Sequence, residues 1–183
     1  MTPIFTIHAG EYLVGSCVEK HHKHIRVWIP SKDDGLDLLL TGRDCLNGIS
    51  VQVKFSKDWK EVITSQQVHR LVQSSSWIRI NRRKLEATEA AWWVLVIYGF
   101  DRLKADFVVI KPSDLLARLN EIHGRKVGIF SLYMTVTTQG HVFEHRKLGE
   151  KALLDSNALR HTKYDFSDCL DPNLTRLAAL IPR

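Results

Sequence analysis

The chain has 183 residues, 44% of them hydrophobic and 25% charged, enough to bury a core without disulfides or metals holding it together. A net charge of +6 and a pI near 9.3 point toward an anionic partner, nucleic acid first. Cys17, Cys45 and Cys169 are odd in number and widely spaced, which argues against a disulfide framework or a zinc site and for a reducing, cytoplasmic setting.

In chain order, the start MTPIFTIHAGEYL lacks a basic region followed by an apolar one, so no secretory signal is expected. AGEYLVGSCVEK (Ala9–Lys20) is expected to be a helix with Glu11, Val14, Gly15 and Val18 on one stripe. Gly15 would let this helix approach a sheet closely, bringing Glu11 toward whatever lies there. The run His21, His22, Lys23, His24 reads as a solvated turn or a phosphate-contacting patch, because consecutive loop histidines seldom converge on one ion. Ile25, Val27 and Ile29 alternate with Arg26 and Trp28 in a strand that Pro30 ends.

Two further strands follow, Gly35–Thr41 and Ile49–Ser56, and a chain reversal within Gly42–Gly48 would pair them antiparallel. Val51, Val53 and Phe55 would then share one face, and Gln52 and Lys54 the other. The same pairing lands Asp37 near Gln52. A carboxylate among leucines is costly unless something pairs it. Asp33 and Asp34 compete for its role but sit in a DDG turn signal. An acid, an amide oxygen and a lysine at one point suit a hard cation such as magnesium.

Beyond this hairpin, Lys57–Gln73 is expected to be partly helical and to break at Ser74–Ser76. Trp77–Ala90 begins as a strand and passes into a helix or turn. Its Arg79, Arg82, Arg83 and Lys84 form the densest basic cluster, placed with Trp77 to grip a nucleic-acid backbone. Trp92–Tyr98, with Trp92 and Trp93 as core residues, reads as a central strand buried on both faces and too short to span a membrane. Phe107–Ile110 is a strand, and Ser113–His123 a helix with Ser113 as N-cap and Gly124 as its stop. Val127–Thr137 is another strand, and PNLTRLAALIP a short terminal helix.

The order helix, acid, then Gln52-Val53-Lys54 resembles the PD-(D/E)XK nuclease superfamily, in its Mrr-like branch where glutamine replaces the acid of the E-x-K tripeptide. The resemblance covers roughly residues 8–100 and implies a restriction-endonuclease-like α/β core: an αβββαβ mixed sheet flanked by helices, in one domain spanning 1–183 with C-terminal additions over 101–183. It implies a metal site of Asp37, Gln52, the Val53 backbone carbonyl and Glu11, with Lys54 as catalytic partner. The cofactor would be Mg2+, with Mn2+ its substitute, and the activity restriction-like DNA endonuclease, with DNA as partner, no membrane, and a two-fold homodimer as an option the sequence itself does not show. A Holliday-junction resolvase and a non-cleaving nucleic-acid-binding module on the same fold are the alternative readings.

Overall fold

A computed structural model describes residues 8–31, 35–56, 60, 63–99 and 102–182. Its first helix, α1 (Ala9–His21), is followed by three strands, β1 (Arg26–Trp28), β2 (Leu38–Thr41) and β3 (Gly48–Phe55), that form an antiparallel meander. The chain then passes through α2 (Gln66–Leu71), β4 (Val72–Asn81) and α3 (Arg82–Glu86) before β5 (Trp92–Gly99) returns parallel to β3. Strand β6 (Lys104–Ile110) pairs antiparallel with β5, so sheet A is mixed, in the order β1-β2-β3-β5-β6. Helix α4 (Pro112–His123), β7 (Ile129–Thr137) and β8 (Val142–Glu144) come next, and short turns lead to α5 (Ser156–Leu159) and α6 (Thr175–Ala178).

Strands β4, β7 and β8 make a second, antiparallel sheet B, which the sequence reading did not anticipate. Ser74–Ser76 does not break the chain. These serines lie inside ten-residue β4, cross-paired with β7, and all three are buried. Three consecutive serines are weak strand formers, and cross-strand partners on β7 override that weakness. The residues after 100 are not an appendage either, because β6 extends sheet A and β7 is the partner of β4.

Two cores use the two faces of sheet A. On one, Val51 and Val53 of β3, Val94 and Val96 of β5, and Phe107 and Val109 of β6 meet Val14 and Val18 of α1 and Leu177 of α6. On the other, Trp93, Leu95 and Ile97 of β5 with Val108 and Ile110 of β6 meet sheet B through Ile78, Ile80, Leu132, Met134 and Val136, and α4 through Leu115, Leu119 and Ile122. Strand β5 is thus apolar on both sides, as its composition foretells. Helix α4 starts one residue earlier than expected: Lys111 is its N-cap and Pro112 its first residue, a position where proline loses no hydrogen bond. Gly124, at φ 97°, ends it.

The buried residues of this second core come from β5 and β6 and none from β1–β3. On the face that α1 does not cover, β1 and β2 are open, with Trp28 47% and Leu39 37% exposed, whereas Gln52 of β3 is 7% exposed. Among the described residues no helix is long and apolar enough to cross a membrane.

Helix α1 comes closest to the sheet at Gly10 rather than Gly15. A Cβ on Gly10 would stand 2.7 Å from Phe55 Cβ and 3.0 Å from Val53 Cγ1, whereas one on Gly15 would meet Val27 at an ordinary 3.5 Å. Gly10→Ala should therefore destabilise the protein by about 1–3 kcal/mol through overpacking, and Gly15→Ala should not. Urea unfolding of the two variants measures the difference.

Candidate functional site

The register of the β2–β3 hairpin positions the site. Leu38 pairs with Val51, so Asp37, just before β2, falls beside Gln52 and donates its N–H to Val51 O at 2.9 Å. Strand β3 runs on past the start of β2, which leaves the Val53 N–H without a β2 partner. Asp37 supplies one: its Oδ2 accepts the Val53 N–H at 2.6 Å and also the Gln52 Nε2 amide. Gln52 Oε1, on the other arm of that amide, faces Gly35. The carboxylate among leucines is therefore paired, by one backbone and one side-chain donor.

Lys54 shares the face of Gln52, since Val51 and Val53 belong to the α1 core and strand residues alternate. Its Nζ stands 5.4 Å from the centre of the Trp93 ring on β5, a cation–π distance. Asp37, Gln52 and Lys54 thus gather on the face of sheet A opposite α1, with Gln52 buried at 7% exposure and Asp37 and Lys54 half-buried.

Glu11 occupies a different setting. Its Oε2 accepts the His8 N–H at 3.1 Å at the start of α1, a capping interaction. Its carboxyl lines a groove of about 240 Å³ between α1 and β1–β2, with Val27, Ile29 and Leu38. This groove lies on the α1 side of the sheet, while the Asp37–Gln52 pair faces the other side. Glu11 is 7% exposed and adjoins Leu38, the residue after Asp37, so it flanks the pair across the sheet end rather than joining it. Among the described residues no three His, Cys, Asp or Glu side chains converge to hold a metal ion. The competing Asp33 and Asp34 lie outside the described residues.

The basic cluster separates into two kinds of residue. Arg79, Arg83 and Lys84 are exposed. Arg82 is not available as a phosphate contact: its Nε donates to Val127 O at 2.6 Å and its Nη2 to Asn120 Oδ1 at 2.5 Å and Gly124 O at 3.2 Å. It also pairs with Glu86 at 3.2 Å and stacks over Phe130 at 4.7 Å. A planar five-donor guanidinium suits this clasp between α3 and the end of α4. Of the histidine run, His21 ends α1 and His22–His24 follow it into a turn, with His22 Nε2 2.6 Å from Asn173 O.

A polar cluster in sheet B was missed by the sequence reading. Glu144 is fully buried at the end of β8, its Oε1 accepting the Tyr133 N–H at 3.2 Å and the Arg146 N–H at 3.1 Å. Its Oε2 stands 3.6 Å from His123 Nε2. Burial pushes the Glu144 carboxyl up and the His123 imidazole down, favouring a neutral acid beside a neutral ring. Next to it, His145 is 5% exposed, and its Nε2 lies 2.9 Å from Thr135 Oγ1, which lies 2.8 Å from Ser75 Oγ. Burial lowers the His145 imidazole to about 4. Val142-Phe143-Glu144-His145 offered no sign of this cluster, because only the pairing of β8 with β7 takes the acid and imidazole out of water.

No protein-family model, curated protein or solved structure matches this chain.

Two outcomes follow. Arg82→Ala should lower the unfolding free energy by about 2–4 kcal/mol, having lost several charge-assisted bonds at once, while Arg83→Ala stays within about 0.5 kcal/mol; chemical denaturation separates them. His145 sits below its unfolded value near 6.5, so the unfolded chain binds the extra proton first and stability falls as pH drops from about 6.5 to about 4. Glu144 acts with the opposite sign, since its folded form holds a proton that the unfolded chain releases. The difference in unfolding free energy between wild type and His145→Gln, followed from pH 7 to pH 4, isolates the histidine and should change by about 3 kcal/mol.

Proposed function

We propose that this protein is a Mg2+-dependent endonuclease that hydrolyses DNA phosphodiester bonds by PD-(D/E)XK-type chemistry, with a restriction-like action. The observation that carries the reading is the contact of Asp37 with Gln52 at the mouth of the β2–β3 hairpin, with Lys54 on the same face. The topology supports it: a helix, three antiparallel strands, and a crossover to a strand parallel with the third. Asp37 and Lys54 are half-buried and flank the buried Gln52, and the net charge of +6 favours a polyanion.

The donor set fits a hard cation in type, though with little charge. Asp37 supplies a carboxylate, and Gln52 and the Val53 carbonyl supply neutral oxygens. With the amide N–H of Gln52 turned to Asp37, its donor satisfies the carboxylate. A half-turn of that amide sets Oε1 against Oδ2, and two oxygens in contact require a cation between them. Glu11, engaged at the start of α1 on the other side of the sheet, is not among these donors. A divalent ion bound there supplies Lewis-acid stabilisation of phosphate charge and a more acidic water.

The remaining work belongs to the chain itself. Lys54 carries a cationic Nζ toward the phosphate, offsetting charge that grows on its non-bridging oxygens and orienting the attacking water. Its distance from Trp93 keeps the alkyl stem against an aromatic surface and limits the rotamers it can visit. Asp37, held by the Val53 N–H, keeps its carboxylate at a fixed height on the sheet. The exposed Arg79, Arg83 and Lys84 would contribute salt-dependent contacts to the DNA backbone.

A second reading, a nucleic-acid-binding module that does not cut, is favoured by one specific observation. Asp37 Oδ2 already accepts two N–H donors, an arrangement that is complete without a metal. Incubation of supercoiled plasmid with protein and Mg2+ distinguishes the two. Wild-type protein should nick or linearise it, and Asp37→Asn and Lys54→Ala should each slow cutting at least about 100-fold. Cutting at the same rate in both variants overturns the assignment, and duplex binding that ignores Mg2+ and never cuts supports the module. Preferential cutting of four-way junctions over plain duplex would move the substrate to a resolvase.

A further inference from the structure

The outer face of sheet B carries a second candidate site, which stands independently of Asp37. Ile78, Ile80, Leu132, Met134 and Val136 face the core, so alternation turns their neighbours outward. The β4–β7 register then sets three outward pairs in a row: Ser75 opposite Thr135, Trp77 opposite Tyr133, and Arg79 opposite Ser131. Trp77 donates its indole N–H to Ser131 Oγ at 2.6 Å, which ties the ring to β7. Arg146 lies over the Tyr133 ring at 4.9 Å.

At the Ser75 end of this row is a cavity of about 150 Å³, lined by Ile63, Ser75, Tyr133, His145, Arg146 and Glu150. Its polar wall is built rather than incidental. The chain from Ser75 through Thr135 to His145 runs along it, and the Nδ1 of the buried His145 has no hydrogen-bond partner among the described residues. A buried ring nitrogen without a partner costs free energy unless a ligand or water completes it.

The chemistry of the wall selects the ligand. A neutral imidazole offers one donor and one acceptor but no positive charge to hold an anion inside. Glu150, tied to Thr64 at 2.5 Å and 3.0 Å, adds a carboxylate at the rim that repels an anion. The apolar Ile63 and the flat Tyr133–Arg146 stack suit an uncharged aromatic ring with polar edges. Exposed Arg79, four residues along β4 from Ser75 and so about 13 Å away, is spaced for a phosphate one or two nucleotides on.

We propose that the outer face of sheet B binds single-stranded nucleic acid, with one base inserted into the His145 cavity against the Tyr133–Arg146 stack. Ser75 and His145, linked through buried Thr135, hydrogen-bond the edge of that base, and Arg79 and Arg146 hold the flanking phosphates. Aromatic and guanidinium platforms of this kind accept any base by its face and take their preference from the edge contacts.

The test is fluorescence anisotropy with short labelled oligothymidylate and oligoadenylate strands, with a duplex of the same length as comparison. Single strands should bind more tightly than the duplex. Tyr133→Leu and Arg146→Ala should each weaken binding about tenfold, with circular dichroism establishing that each variant is folded. Arg146 is exposed, so its variant tests the site even if Tyr133→Leu unfolds. Absence of single-strand binding, equal binding of duplex, or folded Tyr133→Leu binding as tightly as wild type would overturn the proposal; the last outcome would leave only surface charge.

Discussion

The arrangement of the molecule depends on strand β3 having two chemically opposite faces. Val51 and Val53 are buried beneath α1, and Gln52 and Lys54, one residue out of phase, look the other way. In the middle of a sheet this is costly if both faces are covered, because an amide and an ammonium would lose their water. The fold resolves the conflict by pairing: Gln52, 7% exposed, donates to Asp37, and half-buried Lys54 stands beside the Trp93 ring. The candidate site is thus a consequence of how β3 satisfies its polar face.

The same logic explains why Asp37 sits where it does. Strand β3 outruns β2 at the Val53 end, and an unpaired backbone N–H there must find an acceptor. A carboxylate one residue before β2 reaches it and is held in return. The local hydrogen-bond requirement of an uneven hairpin and the placement of an acid beside Gln52 and Lys54 are therefore one feature. That coupling explains how a structural role for Asp37 and a chemical one can coexist. Backbone pairing fixes the carboxylate, and the Gln52 amide donates to the same oxygen.

Much of this was legible in the sequence wherever one signal dominated. The two-residue period over Gly48–Phe55, the continuous apolar run of β5 and the i, i+3, i+4 stripe of α4 each translated directly into an element and its buried face. So did the pairing of Asp37 with Gln52, since a hairpin between those strands leaves few registers. What escaped depended on distant partners. Ser74–Ser76 has the composition of a loop and becomes strand only because β7 pairs with it. Arg82 is indistinguishable by type from Arg83, and its commitment to Val127, Asn120 and Gly124 comes from the approach of α4 to α3. Gly15 and Gly10 lie on the same helix, and the crossing point of α1 over Phe55 decides which must be a glycine.

Sheet B is where the fold accepts the largest electrostatic cost. A carboxyl with no exposure, an imidazole pulled down by burial and another facing an unpartnered space would each be replaced by apolar residues in a layer whose purpose was only to cover β5 and β6. The inner face of the same strands is apolar at Ile78, Ile80, Leu132, Met134 and Val136 but also carries the fully buried Ser74 and Ser76. Polar groups therefore lie on both faces: Glu144, opposite Met134, meets His123 of α4 on the core side, whereas Ser75 and His145 border the outer cavity. Of these groups, Ser75 and His145 are the ones placed where a ligand could complete them. The two proposals thus rest on different sheets: Asp37, Gln52 and Lys54 on sheet A, and the cavity beside Ser75 and His145 on sheet B.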